Sequence, residues 1–269
     1  MTEFDISFKT KKIVFLDLDG TVYLGNKLLP GAKEFLNFLQ NQGVFFYFLS
    51  NNSSRSKKDY VDKISHLGIE TTEDRIILST DGVIDFLLSQ GVKDTYVIGT
   101  SSMQEMFVEA GISIDSLNPE YVILGYDTEL TYKKLKTGAL HLIKGIGLLA
   151  THPDFVCPTP EGPIPDVGAM LALFEKAYGK KPRKIFGKPN PEMLSHILKK
   201  HKVSSAEIVM IGDRIYTDME LANRLSCDFI LVLSGETQPC DLDKLDKLPA
   251  LVAENIGAIL KLQESHFFT

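Results

Sequence analysis

"IVFLDLDGTVYLG", residues 13–25, drives an apolar run straight into two carboxylates, Asp17 and Asp19. Residues 13–16 are apolar without alternation, although side chains of an extended segment point to opposite faces in turn. Continuous apolarity therefore means that both faces are covered, as in a parallel sheet. Further strand candidates lie at 44–49, 75–78, 95–98, 121–124, 148–150, 208–211 and 229–233, and most share this signature. Helical patterns lie between these runs. In 32–40, Phe35, Leu36 and Leu39 share a stripe, and in 57–66 Val61 and Ile64 do so. A β-α-β series of this kind predicts a doubly wound parallel α/β architecture.

Asp17 and Asp19 stand two apart, so they can point the same way from the end of the first strand. At about 4 Å and an effective dielectric near 20, two such charges repel by roughly 4 kcal/mol, or about three pKa units. The pair asks for a cation between its members or for a catalytic task that uses a proton. Open α/β sheets bind ligands outside the carboxyl ends of their strands, which is where this pair lies. Gly20 then allows a tight turn.

Three other stretches put chemistry at strand ends. Residues 45–61, "FFYFLSNNSSRSKKDYV", pass from a buried strand through Ser50-Asn51-Asn52-Ser53-Ser54 into a helix. Hydroxyls, amides and backbone N–H groups at a helix start can cradle phosphate, although such residues also serve as simple caps. In "KIFGKPNPEML", residues 184–194, Lys188 is fixed between Gly187 and Pro189 ahead of a helix expected at 192–200. In "IVMIGDRIYTDMELAN", residues 208–223, a fourth apolar run ends in Gly212-Asp213-Arg214, with Asp218 five residues beyond Asp213. Hard cations such as Mg2+ take carboxylate oxygens, so Asp213 can complete a site begun by Asp17 and Asp19. Acids, one fixed lysine and a hydroxyl-rich turn are the parts that phosphoryl transfer needs.

Composition narrows the partners. The 269 residues allow one large domain or two ordinary ones. A net charge of −6 argues against nucleic acid as a partner. No apolar stretch approaches the roughly 20 residues of a membrane span. The start, "MTEFDISFKTKK", carries acids early and lacks the apolar core of a signal peptide. Cys157, Cys227 and Cys240 are widely spaced, which suggests reduced thiols in a cytoplasmic protein rather than a zinc site. Residues 145–150, "GIGLLA", match a dinucleotide fingerprint, but they lead into a strand instead of following one. Residues 151–166, "THPDFVCPTPEGPIPD", hold five prolines and read as an ordered functional loop, neither strand nor helix.

Taken together, "DLDGTVYLG" with "LPGAKEFL", "SNNSS", "GKP" and "GDRIYTD" resemble the haloacid dehalogenase superfamily. The likeness is to subfamily IIA, the branch of p-nitrophenyl-phosphate, pyridoxal-phosphate, phosphoglycolate and nucleotide phosphatases. The resemblance implies a Mg2+-dependent hydrolase of a small phosphorylated metabolite. Asp17 would attack phosphorus and become an aspartyl phosphate. Asp19 would protonate the leaving oxygen and then activate water, its backbone carbonyl joining the metal shell. Ser50 and Asn51, with Thr21 and Asn52 beside them, would hold the phosphoryl oxygens, and Lys188 would bridge Asp17 and phosphate. Asp213 would bind magnesium and Asp218 would support the site. The resemblance also implies a catalytic core of residues 1–79 and 185–269, with an inserted α/β cap of 80–184 that selects the substrate. Such phosphatases often dimerise through the cap.

The chain departs from the family pattern mainly in that cap. Thr151-His152-Pro153-Asp154 stands where many members read T-N-P-D, and Asp166 where a glycine is common. His152 thereby becomes a candidate substrate contact. Cys157 replaces the histidine of pyridoxal phosphatases, and Ala222 and Ser226 replace family glycines. Two other readings compete: phosphotransfer to a second substrate, as in a sugar-phosphate mutase, and a catalytically silent phospho-ligand-binding protein.

Overall fold

The computed structural model describes residues 6–159 and 161–265. The first five residues, part of the stretch judged unlike a signal peptide, and Pro160 of the proline-rich loop lie outside the described residues. The strands, in chain order, are β1 (Ile13–Asp17), β2 (Tyr23–Leu24), β3 (Lys27–Leu28), β4 (Phe45–Ser50), β5 (Ile76–Leu78), β6 (Thr95–Ile98) and β7 (Tyr121–Leu124). They continue with β8 (Gly147–Ala150), β9 (Val156–Cys157), β10 (Ile164–Pro165), β11 (Lys184–Ile185), β12 (Ile208–Gly212), β13 (Asp228–Val232) and β14 (Leu251–Ala253). The helices are α1 (Ala32–Asn41), α2 (Lys57–His66), α3 (Ser79–Ser89), α4 (Ser101–Glu109) and α5 (Tyr132–Ile143). After them come α6 (Val167–Tyr178), α7 (Ser195–His201), α8 (Glu220–Leu225) and α9 (Ile256–Ser265).

The chain forms two compact units, residues 1–49, 61–77 and 197–269 in one and residues 50–60 and 78–196 in the other. Residues 50–60 and 185–196 thus pack with the second unit, whereas the resemblance assigned them to the core. In the first unit the sheet order is β14-β13-β12-β1-β4-β5. Strand β1 pairs in parallel with both β4 and β12, through Leu16↔Phe48 and Leu16↔Ile211. From β1 the chain winds outward to β4 and β5, then returns to place β12 on the other side of β1. The β1/β12 boundary is therefore the point where strand order reverses, the place where open α/β sheets keep their ligand crevice. Residues 13–16 and 209–211 are wholly buried, which accounts for their unbroken apolar character. Phe8 caps this core, its ring edge-on to Phe35 and Phe38 of α1 at 5.6 and 5.9 Å.

The second unit holds a parallel sheet ordered β11-β8-β7-β6. Its core joins Ile98, Val122, Leu124, Leu142, Leu148 and Phe174. The "GIGLLA" decoy does lead into a strand, β8.

Two expectations need correction. Residues 151–166 are not devoid of strand, because β9 and β10 pair antiparallel through Cys157↔Ile164 and Val156↔Pro165. A two-residue ladder tolerates proline where a longer one would miss its N–H donor. The helix expected over 192–200 begins as a 3-10 turn, Pro191–Leu194, and becomes α-helical only from Ser195. Strands β11 and β14 were too short, at two and three residues, to register as apolar runs. Ser226, in place of a family glycine, ends α8 with φ 54°, a left-handed conformation that costs a side-chain-bearing residue about 1 kcal/mol.

A buried histidine, His141, and a half-buried one, His201, give the fold an acid sensitivity. His201 meets the Tyr47 hydroxyl at 2.6 Å, and the His141 ring lies 5.3 Å from that of Tyr96. Burial holds both below the ordinary histidine range, helped by Lys200 and Arg75 at His201 and by Lys144 at His141. The unfolded chain binds these protons first, near pH 6.5. Stability is therefore full above that pH and declines as pH falls toward the lower folded values. The urea midpoint is expected to drop between pH 7.5 and 5.5, and less so in His201→Gln. An equal drop in that variant would show that His201 plays no part.

Candidate active site

The first unit gathers three acids at the switch point. Asp17 closes β1, and Asp213 follows β12 directly. Asp218 is carried by a π-helical turn, Ile215–Met219, a distortion frequent at functional sites. One carboxylate oxygen from each of the three lies within 4.8 Å of the others. All three residues are buried, at 8, 2 and 0% exposure. The Glu236 amide donates to Asp213 Oδ2 at 2.6 Å, and the Arg214 amide to Asp218 Oδ2 at 3.1 Å. A Cβ on Gly20, at φ +89°, would sit 2.6 Å from Asp213 Oδ2, and one on Gly235 or Gly212 would also collide with an acid of the cluster. Glycines are what leave room for these carboxylates.

Electrostatics then ask for a cation. At 4.8 Å and an effective dielectric of 20, each pair of charges repels by about 3.5 kcal/mol. Arg214 answers in part. Burial works against its charge, but Asp17, Tyr216, Glu236 and Asp213 outweigh burial and raise its pKa. Its Nε also pairs with Glu236 at 3.0 Å, and Glu236 accepts from the Tyr216 hydroxyl at 2.6 Å. One guanidinium against three acids and Glu236 leaves negative charge in excess. The donor set is hard oxygen throughout. Such oxygens are the donors that hard divalent cations take. The residues fit a small hard divalent cation, held by Asp17, Asp213 and Asp218.

The Asp19 carboxylate is not part of this cluster among the described residues. It lies in the turn after β1. Leu18 O accepts the amides of Thr21, Val22 and Tyr23, Gly20 N donates to Tyr23 O at 2.7 Å, and Ser234 Oγ donates to Gly20 O at 2.7 Å. The Asp19 residue reaches the surface, yet surrounding protein desolvates its carboxyl and raises its pKa, against the pull of Lys63, Arg214 and the Gly25 amide. A carboxyl that keeps its proton longer is suited to general-acid work. Thr21 is wholly buried, and its Oγ1 has no hydrogen-bond partner among the described residues.

The second unit holds the other expected residues. The Ser50 and Tyr60 hydroxyls share a hydrogen bond of 3.0 Å, and the Asn52 amide donates to Ser50 Oγ at 3.2 Å. Asn52 Oδ1 accepts from Ser54 N and Oγ at 2.9 and 2.7 Å. The side chain of Asn52 therefore shapes the turn. Ser56 and Asp59 cap α2 reciprocally, with Ser56 N donating to Asp59 Oδ2 at 2.7 Å and Asp59 N to Ser56 Oγ at 3.2 Å. Lys188 is 2% exposed, at the bond to Pro189, which is cis. Asn51 grips its backbone, with Lys188 N donating to Asn51 Oδ1 at 2.7 Å and Asn51 Nδ2 donating to Lys188 O at 3.0 Å.

His152 has no exposed surface, and its ring nitrogens face Asp154 at 3.4 Å and Asp166 at 3.5 Å. It lies at the base of the proline-rich loop. The two departures from the family pattern, His152 and Asp166, thus meet each other in space. Asp166 also caps α6, its Oδ1 accepting from Val167 N at 2.7 Å. Arg214, Asp154 and Gly235 escaped the sequence reading. Arg214 and Asp154 lay inside quoted motifs, whereas nothing around Gly235 signals its approach to Asp213.

The family description "Haloacid dehalogenase-like hydrolase" matches residues 14–113, and "HAD-hydrolase-like" matches residues 185–259. Ribonucleotide monophosphatase NagD of Escherichia coli K12 is 30% identical over 250 residues, 93% of this chain and 98% of its own. The chain belongs to the haloacid dehalogenase-like hydrolases. Among relatives in this family, the acid sugar phosphatase of Staphylococcus haemolyticus is 28% identical over 260 residues, covering 96% of this chain and 98% of its own. The crystal structure of 4-nitrophenylphosphatase from Thermotoga maritima superposes with a TM-score of 0.91 at 39% identity, covering 95% of this chain and 98% of that one. The haloacid dehalogenase-like fold expected from the four motifs is therefore present.

Proposed function

We propose that this chain is a magnesium-dependent phosphatase that hydrolyses a small phosphate monoester through an aspartyl phosphate on Asp17. The carrying observation is the convergence of the buried Asp17, Asp213 and Asp218 carboxylates within 4.8 Å at the strand-order reversal. The names of the relatives, a nucleotide phosphatase, a sugar phosphatase and a 4-nitrophenyl phosphatase, support the reaction class and leave the substrate open.

The divalent ion would be held by Asp17, Asp213 and Asp218, and when bound it supplies charge neutralisation for the phosphoryl oxygens and the nucleophile. The Asp17 carboxylate attacks phosphorus and expels the alcohol. Asp19, with its raised pKa, delivers the proton that the leaving oxygen needs. It then takes a proton from the water that opens the acyl phosphate. Splitting the reaction into two displacements lets an ordinarily weak nucleophile act. Lys188, Ser50 and the turn after it carry the phosphoryl-holding roles that the resemblance gives them. Residues 80–184 act as the cap that chooses the substrate.

No helix among the described residues is long and apolar enough to cross a membrane. We infer further that the enzyme works in the cytoplasm, in keeping with three cysteines outside any disulfide, and that it pairs with a second copy through its cap. The test of the proposal is release of phosphate from p-nitrophenyl phosphate by purified protein with magnesium. Activity is expected with the metal and not after chelation. Undiminished turnover in a chelator would refute the metal-dependent reading. No turnover across sugar phosphates, nucleotides and phosphoglycolate, with tight phosphate binding, would favour the silent binding protein.

A further inference from the structure

The side chain of Asn51 is engaged entirely within the protein. Its oxygen accepts from Lys188 N at 2.7 Å, and its nitrogen donates to Lys188 O and to Asp154 Oδ2, each at 3.0 Å. Both hydrogens and the carbonyl of the amide are in use, which leaves that side chain nothing to offer a phosphoryl oxygen. The chain neighbour of Lys188, Gly187, is packed so closely that a Cβ there would lie 2.6 Å from Asn51 Oδ1 and 2.7 Å from His152 Cβ. The Gly187 amide donates to Thr151 O at 2.5 Å, and the Asn190 amide to Gly187 O at 2.9 Å. The backbone of Asn51 is fixed in turn, its carbonyl accepting from Ser79 Oγ at 2.7 Å.

We propose that Asn51 is a positioning residue for Lys188, braced by Asp154, and that it ties the lysine's placement to the base of the proline-rich loop. A bidentate clasp on both backbone polar groups of one residue fixes that residue's register as no single bond does. Asp154 orients the amide, since a carboxylate can only accept and so selects the nitrogen side of Asn51. His152, between Asp154 and Asp166, holds the far side of the same acid. Asp166 begins α6, and Gly168 N donates to Asp154 O at 2.8 Å. Lysine, asparagine, aspartate, histidine and helix start form one connected frame. This inference rests on the phosphatase reading, because it assigns Asn51 to the lysine that reading makes catalytic.

The test is a double-mutant cycle on p-nitrophenyl phosphate with magnesium, using Asn51→Ala, Lys188→Met and both together. Misplacing a positioning group by about 1 Å can cost on the order of 10²-fold. Asn51→Ala is therefore expected to lower kcat by about that factor while KM changes by less than about threefold. On the Lys188→Met background the same change is expected to cost less than about threefold more. Asp154→Asn, which retains an acceptor oxygen, is expected to keep more activity than Asp154→Ala. Should Asn51→Ala not fold, the isosteric Asn51→Asp takes its place, since it sets an oxygen against Lys188 O and Asp154. A raised KM with unchanged kcat, or a full additional loss on the Lys188→Met background, would overturn the assignment. A crystal structure of Asn51→Ala with residues 187–190 unmoved would overturn it too. That readout needs no turnover, so it decides the matter even if the wild type fails to hydrolyse phosphate esters and only the functional proposal falls.

Discussion

Asp17→Asn is expected to reduce turnover of p-nitrophenyl phosphate by at least about 10⁴-fold, the scale on which removal of a catalytic nucleophile is felt. The substitution is nearly isosteric, so it tests chemistry rather than packing. A carboxamide oxygen is a poor nucleophile for phosphorus, and no acyl phosphate can form on it. The change also takes one negative charge from a cluster whose members lie within 4.8 Å of each other. Relief of that repulsion means the folded state tolerates the variant, and its thermal midpoint in metal-free buffer is expected to be no lower than that of the wild type. Circular dichroism and midpoint serve as the folding control. Rapid quench with borohydride gives a second readout, because an aspartyl phosphate on Asp17 is reduced and its mass change can be located. Wild-type turnover in Asp17→Asn, or trapping at a different residue, would remove the covalent mechanism.

Asp213→Asn is expected to separate metal binding from fold. Asp213 Oδ2 already accepts from Glu236 N at 2.6 Å, a bond that an asparagine can keep through its carbonyl oxygen. What it cannot keep is the charge. The magnesium concentration for half-maximal activity is expected to rise by about 10²-fold or more, since the loss of even an outer support of a metal ligand costs 10–100-fold in affinity. Wild-type protein at a hundredfold excess of magnesium over its Kd gains about 2.7 kcal/mol from binding alone. That gain appears as a rise in thermal midpoint, and in Asp213→Asn it is expected to fall to about 0.4 kcal/mol or less at the same magnesium concentration. An unchanged magnesium response in both assays would show that the acids do not hold the ion.

Much of this was legible in the sequence because it is written in local patterns. Unbroken apolar runs showed the parallel strands β1, β4, β6, β7, β8, β12 and β13 to within a residue or so at their ends. An acid at the tip of a doubly buried strand pointed to the site, since nothing structural explains a charge there. The short strands β9, β10, β11 and β14 did not show, because two or three residues cannot display a period. The jobs of Asn51 and His152 were also hidden. Residue type says that an amide can cradle phosphate and that a loop histidine can touch a ligand. Neither statement counts the partners that Lys188, Asp154 and Asp166 supply in space.

The sequence by itself determined the α/β class, the strand ends that carry chemistry, and the four candidate acids, because burial pattern and residue chemistry are properties of short segments. Only the tertiary structure decided which acids converge and which stands apart. Asp17, Asp213 and Asp218 meet because β1 and β12, nearly two hundred residues apart in the chain, become neighbours in register. Asp19 falls outside that trio, in the tight turn that follows the strand. Distance along the chain carries no information about distance in space once a sheet reverses its order, and that reversal is where the chemistry is assembled.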